Sequence, residues 1–233
     1  INLPQSDRDS LDEALIVMQD YAAGALLLQK EIDREREVIL AEKRTRDSAD
    51  YRTYVATMQF ELAGTLFPER LPIGTEAVIR EVDRQAFQDF YDTWYRPDNM
   101  TLVMVGDFDP ATAAELIAKH FRGLQPRSEK GAEAEIGVLR PGSAPVFYHH
   151  EPEVGSTTLT LQALKSIAPR LDSANYKEER MADRLIGIML QNRLDRILNQ
   201  PDPPFTEASA GTGIFLQQIQ YGYISADGPP ENW

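Results

Sequence analysis

Residues 122–145 interrupt this sequence more sharply than any other stretch: Gly, Pro, Ser, Lys and Glu dominate, and the apolar periodicity found on either side is lost. Such a stretch offers no continuous face to bury, so it predicts a connector between two folding regions. Before it the pattern is helical. Ser10 with Glu13 has capping-box spacing and is followed by Leu11, Leu15, Met18 and Ala22. Further helices are predicted over residues 29–46, highly charged, and 51–66. Pro68, Pro72 and Gly74 punctuate a loop. Asp83 caps a helix through Tyr95, on which Phe87, Phe90, Tyr91 and Trp94 recur at helical spacing and predict a core face. Residues 100–105 read as a short apolar strand closed by Gly106-Asp107, and Asp109-Pro110 opens a helix through Phe121.

After the connector the pattern restarts. Strands are predicted at 146–149 and 157–164, a long amphipathic helix at 175–200, and strands at 207–212 and 215–226. The mixture predicts an α+β chain: residues 1–124 as part of one domain, 125–144 as linker, and 145–233 as the start of a second, incomplete domain.

Charge excludes several function classes. Thirty-seven acids against 24 Lys and Arg give a net charge of -13, so nucleic acid is not the expected partner; a polyanion needs a basic footprint. No run approaches the roughly 20 apolar residues that span a bilayer, and membrane insertion is not expected. With no Cys there is neither a disulfide framework nor a thiolate ligand or nucleophile, which suits the periplasm and the cytosol alike. The opening Ile1-Asn2-Leu3-Pro4 has no signal-peptide character.

The helix over 29–46 carries the most chemical information. Glu35 and Glu42 lie seven residues apart. On an α-helix that is about 700°, close to two full turns, so both carboxylates share one face. Two aligned carboxylates suit a metal site, one as ligand and one as its support. They equally suit a solvated helix face, which is what most runs of Glu, Lys and Arg form.

The wider pattern bears on that choice. Glu35-Arg36-Glu37-Val38-Ile39-Leu40-Ala41-Glu42 resembles the Glu-Arg-x-Val-Ile-x-x-Glu segment of the insulinase/pitrilysin family of zinc metallopeptidases, which includes the mitochondrial processing peptidases. Leu71-Pro72-Ile73-Gly74-Thr75 is similar to its Pro-Ile-Gly loop. Phe90 with Tyr95-Arg96-Pro97-Asp98-Asn99-Met100 resembles its Phe-x-x-x-x-Tyr-x-Pro-x-Asn-Met turn, and residues 101–107 its apolar strand ending in Gly-Asp. Together these pieces cover residues 3–124 in the family's order; residues 145–233 more weakly resemble the start of its next homologous domain.

The resemblance implies helices packed on a mostly antiparallel sheet and a zinc endopeptidase that hydrolyses peptides or unfolded segments with metal-activated water. It implies two His ligands from a His-x-x-Glu-His helix and a distal Glu ligand. Glu42 matches that distal metal ligand, and Glu35 matches the second acid, which in the family supports the catalytic site. A homologous second half, or a partner subunit, would enclose the substrate. The chain contains no His-x-x-Glu-His; His120, His149 and His150 are read as structural or surface residues. Zinc is therefore expected in the complete protein and not in this stretch alone, with the motif lying upstream. Two rivals remain open: a non-catalytic structural or substrate-binding member of the family, and an unrelated helical module, which would have no sheet after Met100.

Overall fold

A computed structural model describes residues 1–140 and 145–232. They divide into two compact units, each discontinuous in sequence. One comprises Ile1–Thr45 and Pro72–Ala134; the other comprises Arg46–Leu71 with the described residues from Glu135 onward. Residues 141–144 of the predicted linker lie outside the described residues.

In the first unit, α1 (Arg8–Ala23) and α6 (Pro110–Phe121) enclose the core formed by Leu11, Leu15 and Leu116. Leu102, Met104, Phe108, Ile117 and Phe121 pack around it. The two helices run in the same direction, since Arg8 pairs with Glu115 and Asp12, one turn on, with Lys119. The N-cap of α1 is Asp7 rather than Ser10: Asp7 Oδ1 accepts from the amides of Asp9 and Ser10, and the Ser10 hydroxyl donates to Asp7 Oδ2. Ser10 is thus spent as a donor inside the first turn, and a capping box cannot form on it.

Three more helices complete this unit. They are α2 (Gln29–Arg46), the short α4 (Glu76–Glu81) and α5 (Arg84–Trp94), the last capped by Asp83 as its sequence predicts. Of the four α5 aromatics only Tyr91 is buried, and Phe87 and Phe90 are exposed. The helix is seated through Tyr91, whose hydroxyl donates to Tyr21 O and accepts from Ala25 N, while the Arg127 guanidinium lies 4.2 Å over its ring. Residues 100–105 are extended but form no strand. Leu102 and Met104 turn toward the core while Val103 and Val105 face out; the alternation is that of a strand, but no strand pairs with it among the described residues.

The second unit contains α3 (Ala49–Glu61), the sheet and α7 (Ala174–Leu198). The third helix stops well short of residue 66 because Gly64 turns into the left-handed region at φ 91° and Thr65 bridges to Gly137. Strands β1 (Thr157–Ser166), β2 (Glu207–Phe215) and β3 (Ile219–Gly228) form an antiparallel sheet in the order β1-β3-β2. The β2–β3 hairpin turns on Leu216 and Gln217, both left-handed. Helix α7 lies along β2. Gly187 faces the backbone of Gly211 and Thr212, and Gln191 hydrogen-bonds both Ala208 O and Ala210 N. Residues 146–149 are not a strand: Val146 and Tyr148 are exposed, and Phe147 stacks on Phe60 at 4.8 Å. Helices on an antiparallel sheet make an α+β fold and dispose of the purely helical alternative.

Candidate functional site

The highly charged α2 has one sheltered face and one open one. Ile32, Arg36, Ile39, Leu40 and Lys43 are at least partly buried, and Leu40 is fully so. These positions recur every three to four residues and define the side that packs. Glu35 and Glu42 are exposed and share the neighbouring face. Glu37, about 200° round the helix from Glu35, is exposed as well.

Two cations on the sheltered face, also seven residues apart, join α2 to the segment around α4. Arg36 donates from Nη1 to Ile79 O and from Nη2 to Val82 O, the latter at 2.8 Å. Lys43 Nζ donates to Gly74 O at 3.1 Å. The acceptors near Arg36 belong to the C-terminal end of α4, where helix carbonyls lack intrahelical donors. Gly74 lies just before its N-terminal end, in the left-handed region at φ 73°. The short helix therefore runs antiparallel to α2. The Pro-Ile-Gly loop and the Glu-rich helix, separate motifs in sequence, are physically joined. The shared seven-residue spacing of Arg36 and Lys43 could have flagged them, but their acceptors are backbone carbonyls, which a sequence does not mark.

Two of the three histidines are paired elsewhere, and His150 is exposed. His120 is almost wholly buried between α1 and α6, with Nε2 2.6 Å from Asp12 Oδ1. Lys119 and His120, in that order, hold the Asp12 carboxyl below the usual range. His149 Nε2 lies 3.0 Å from Glu151 Oε1, and Arg52 pins the other oxygen of that carboxylate. Among the described residues no three His, Asp or Glu side chains are grouped so as to hold a metal ion. The donor set of α2 consists of carboxylate oxygens only. It fits as a contributor to a zinc site and not as a whole one, which takes at least three protein ligands.

Known proteins give this geometry a setting. Residues 81–232 match a family model described as "Peptidase M16 inactive domain"; the match begins beyond α2, so Glu35 and Glu42 lie upstream of it. The chain is similar to a zinc protease PQQL-like protein of Arabidopsis thaliana, 28% identical over 94% of this chain and 23% of that protein. It is also similar to the probable zinc protease PqqL of Haemophilus influenzae, 32% identical over 82% of this chain and 21% of that protein. The chain thus spans about a quarter or less of the length of these curated relatives. Among solved structures, the first half of the periplasmic protease PqqL from Escherichia coli superposes with a TM-score of 0.78 at 21% identity, covering 97% of this chain and 48% of that one. The ferredoxin protease FusC, solved in complex with Arabidopsis ferredoxin, gives a TM-score of 0.78 at 23% identity over 97% of this chain and 25% of that one. At these identities the superpositions establish the fold.

Proposed function

This chain belongs to the M16 peptidase family, the insulinase/pitrilysin group, and on that premise we propose that it is part of a zinc-dependent endopeptidase acting on peptides or unfolded polypeptide segments. Within that protein α2 contributes to the metal site, and residues 81–232 form a region that shapes and encloses substrate rather than cutting it. The observation that carries the reading is the shared open face of Glu35 and Glu42 on a helix whose other side is anchored. Glu42 is the residue we assign as a carboxylate ligand of zinc. Glu35, two turns back on the same face, supports it by holding the local charge and hydrogen bonding. The chemistry that zinc supplies when bound is Lewis-acid polarisation of a peptide carbonyl and activation of water. The ligands that complete the site come from outside the described residues, and a homologous second half or partner subunit closes over the substrate.

A non-catalytic role for most of this chain has its own support. The matched family model is that of an inactive domain and covers the sheet and α7. The two roles are compatible if α2 belongs to the metal site and the remainder to the enclosure.

The test is Glu42→Gln in the full-length protein, read as zinc content by atomic absorption and as cleavage of an unstructured peptide. Zinc and turnover should both be lost while the far-ultraviolet circular dichroism is kept. Full zinc occupancy and full turnover in that variant would overturn the assignment.

A further inference from the structure

We propose that Arg36 and Lys43 are positioning residues, which set the rotation of α2 about its own axis and thereby aim Glu35 and Glu42. The inference rests on the reading of Glu42 as a zinc ligand and extends it to residues that touch no metal. Seven helical residues separate the two cations by about 10 Å along the axis. One grips the C-terminal carbonyls of α4 and the other the carbonyl of Gly74, so the segment from Gly74 to Val82 spans the same stretch of α2 as the two glutamates. Each contact lies off the helix axis and resists roll, and two of them two turns apart on one stripe resist tilt as well.

The stripes are adjacent. Glu35 precedes Arg36 and Glu42 precedes Lys43, each pair separated by about 100° round the helix. Any roll that carried Glu42 away from its direction would have to pull Lys43 from Gly74 and Arg36 from Val82. The Arg36 side chain is largely buried, at 16% exposure, with Asp33 as its nearest carboxylate at 3.7 Å. Its fork reaches two carbonyls at once, which the single ammonium of a lysine cannot do with the same geometry. Leu40, at 2% exposure, lies between the two cations on the same face of the helix.

The experiment uses the full-length protein with zinc, and again with cobalt as a spectroscopic stand-in. Metal affinity is measured by competition with a chromogenic chelator, and coordination geometry by the visible spectrum of the cobalt form. The variants are Arg36→Met, Arg36→Lys, Lys43→Met and Lys43→Arg, with Glu42→Gln in parallel and Arg34→Met as a control on an exposed cation paired with Glu31 at 2.6 Å. Each Met variant should weaken zinc roughly 10–100-fold, the scale for groups that orient a ligand, and should shift the cobalt spectrum. Arg36→Lys should fall between, Lys43→Arg should weaken zinc less than Lys43→Met, and Arg34→Met should match the parent protein. If Arg36→Met does not fold, Arg36→Lys decides: parental affinity with an unchanged cobalt spectrum overturns the clamp. Metal lost in Glu42→Gln but kept in both Met variants also overturns the clamp alone. Metal kept in Glu42→Gln overturns the underlying assignment, and the clamp's role with it.

Discussion

Arg52 donates two hydrogen bonds to one oxygen of Glu151, from Nε at 3.0 Å and from Nη2 at 2.7 Å, across 99 residues of sequence. The same guanidinium reaches Glu153 at 3.1 Å and Asp47 at 3.3 Å. His149 takes the second Glu151 oxygen. This network ties the start of α3 to an extended segment that has no ladder of its own.

The pH dependence of that tie has a definite sign. Arg52 is the main cause, and His149 a smaller one, of a Glu151 carboxyl held below its ordinary value. A carboxylate depressed in the folded state adds stability above its unfolded pKa and loses it as pH falls through the folded one. Arg52→Gln should therefore lower the melting temperature at pH 7, by a few degrees, and lower it less at pH 3, where more of the carboxyl is protonated. Melting curves of the full-length protein at the two pH values check this. Equal losses at both would mean that packing, not charge, carries the contact.

Glu61 has the opposite sign. It is half-buried at the end of α3, and burial raises its carboxyl above the ordinary range; the Gln162 amide nitrogen donates to it. A raised acid contributes stability that is present below its unfolded pKa and is lost as pH rises through the folded one. Glu61→Gln keeps the shape and an acceptor for Gln162 but removes the charge. It should raise the melting temperature at neutral pH by a degree or two, with the gain disappearing below the usual carboxylate range. A loss at pH 7 would show that the ionised form is the one the fold favours.

Elements whose signals are local were readable in the sequence. The bounds of α2 follow from its charge periodicity, and the starts of α5 and α6 follow from Asp83 and Asp109, whose side chains accept from the third residue on. What failed was whatever depends on a distant neighbour. Residues 100–105 and 146–149 have strand composition, yet a strand exists only where another takes its hydrogen bonds. Phe87 and Phe90 have core spacing, yet they stay 37% and 59% exposed. The acids of the candidate site were singled out by the family resemblance, their seven-residue spacing only placing them on one face, whereas the clamp behind them depends on carbonyls of a segment more than 30 residues away.

Gly137 tests one of those distant approaches. A Cβ built there would lie 2.2 Å from Gly64 O, and the residue itself is left-handed at φ 81°. Neither problem can be relieved by rotating a side chain, because the obstacle is backbone. Gly137→Ala should cost about 1–3 kcal/mol in urea unfolding. Gly123→Ala, with nothing within 4 Å of its Cβ, should be nearly neutral. Similar effects from the two would show that the bridge between Thr65 and Gly137 does not hold the unit together.

The remaining prediction separates a supporting acid from a surface one on α2. Glu35, Glu37 and Glu42 are all exposed, so burial does not distinguish them. Direction does: Glu35 lies within about 20° of Glu42 around the helix, and Glu37 about 200° from Glu35. If Glu35 supports a ligand at Glu42, Glu35→Gln in the full-length protein should retain zinc but weaken it, or turnover, about 10–100-fold. Glu37→Gln should leave both within experimental scatter, as for an ordinary solvated charge. Chelator competition and turnover of an unstructured peptide, measured on both variants, decide the matter. Damage from Glu37→Gln with none from Glu35→Gln would mean that the metal-facing side of α2 is the other one. It would also move the ligand assignment away from Glu42, because no single helix face can present Glu37 and Glu42 to one ion while excluding Glu35.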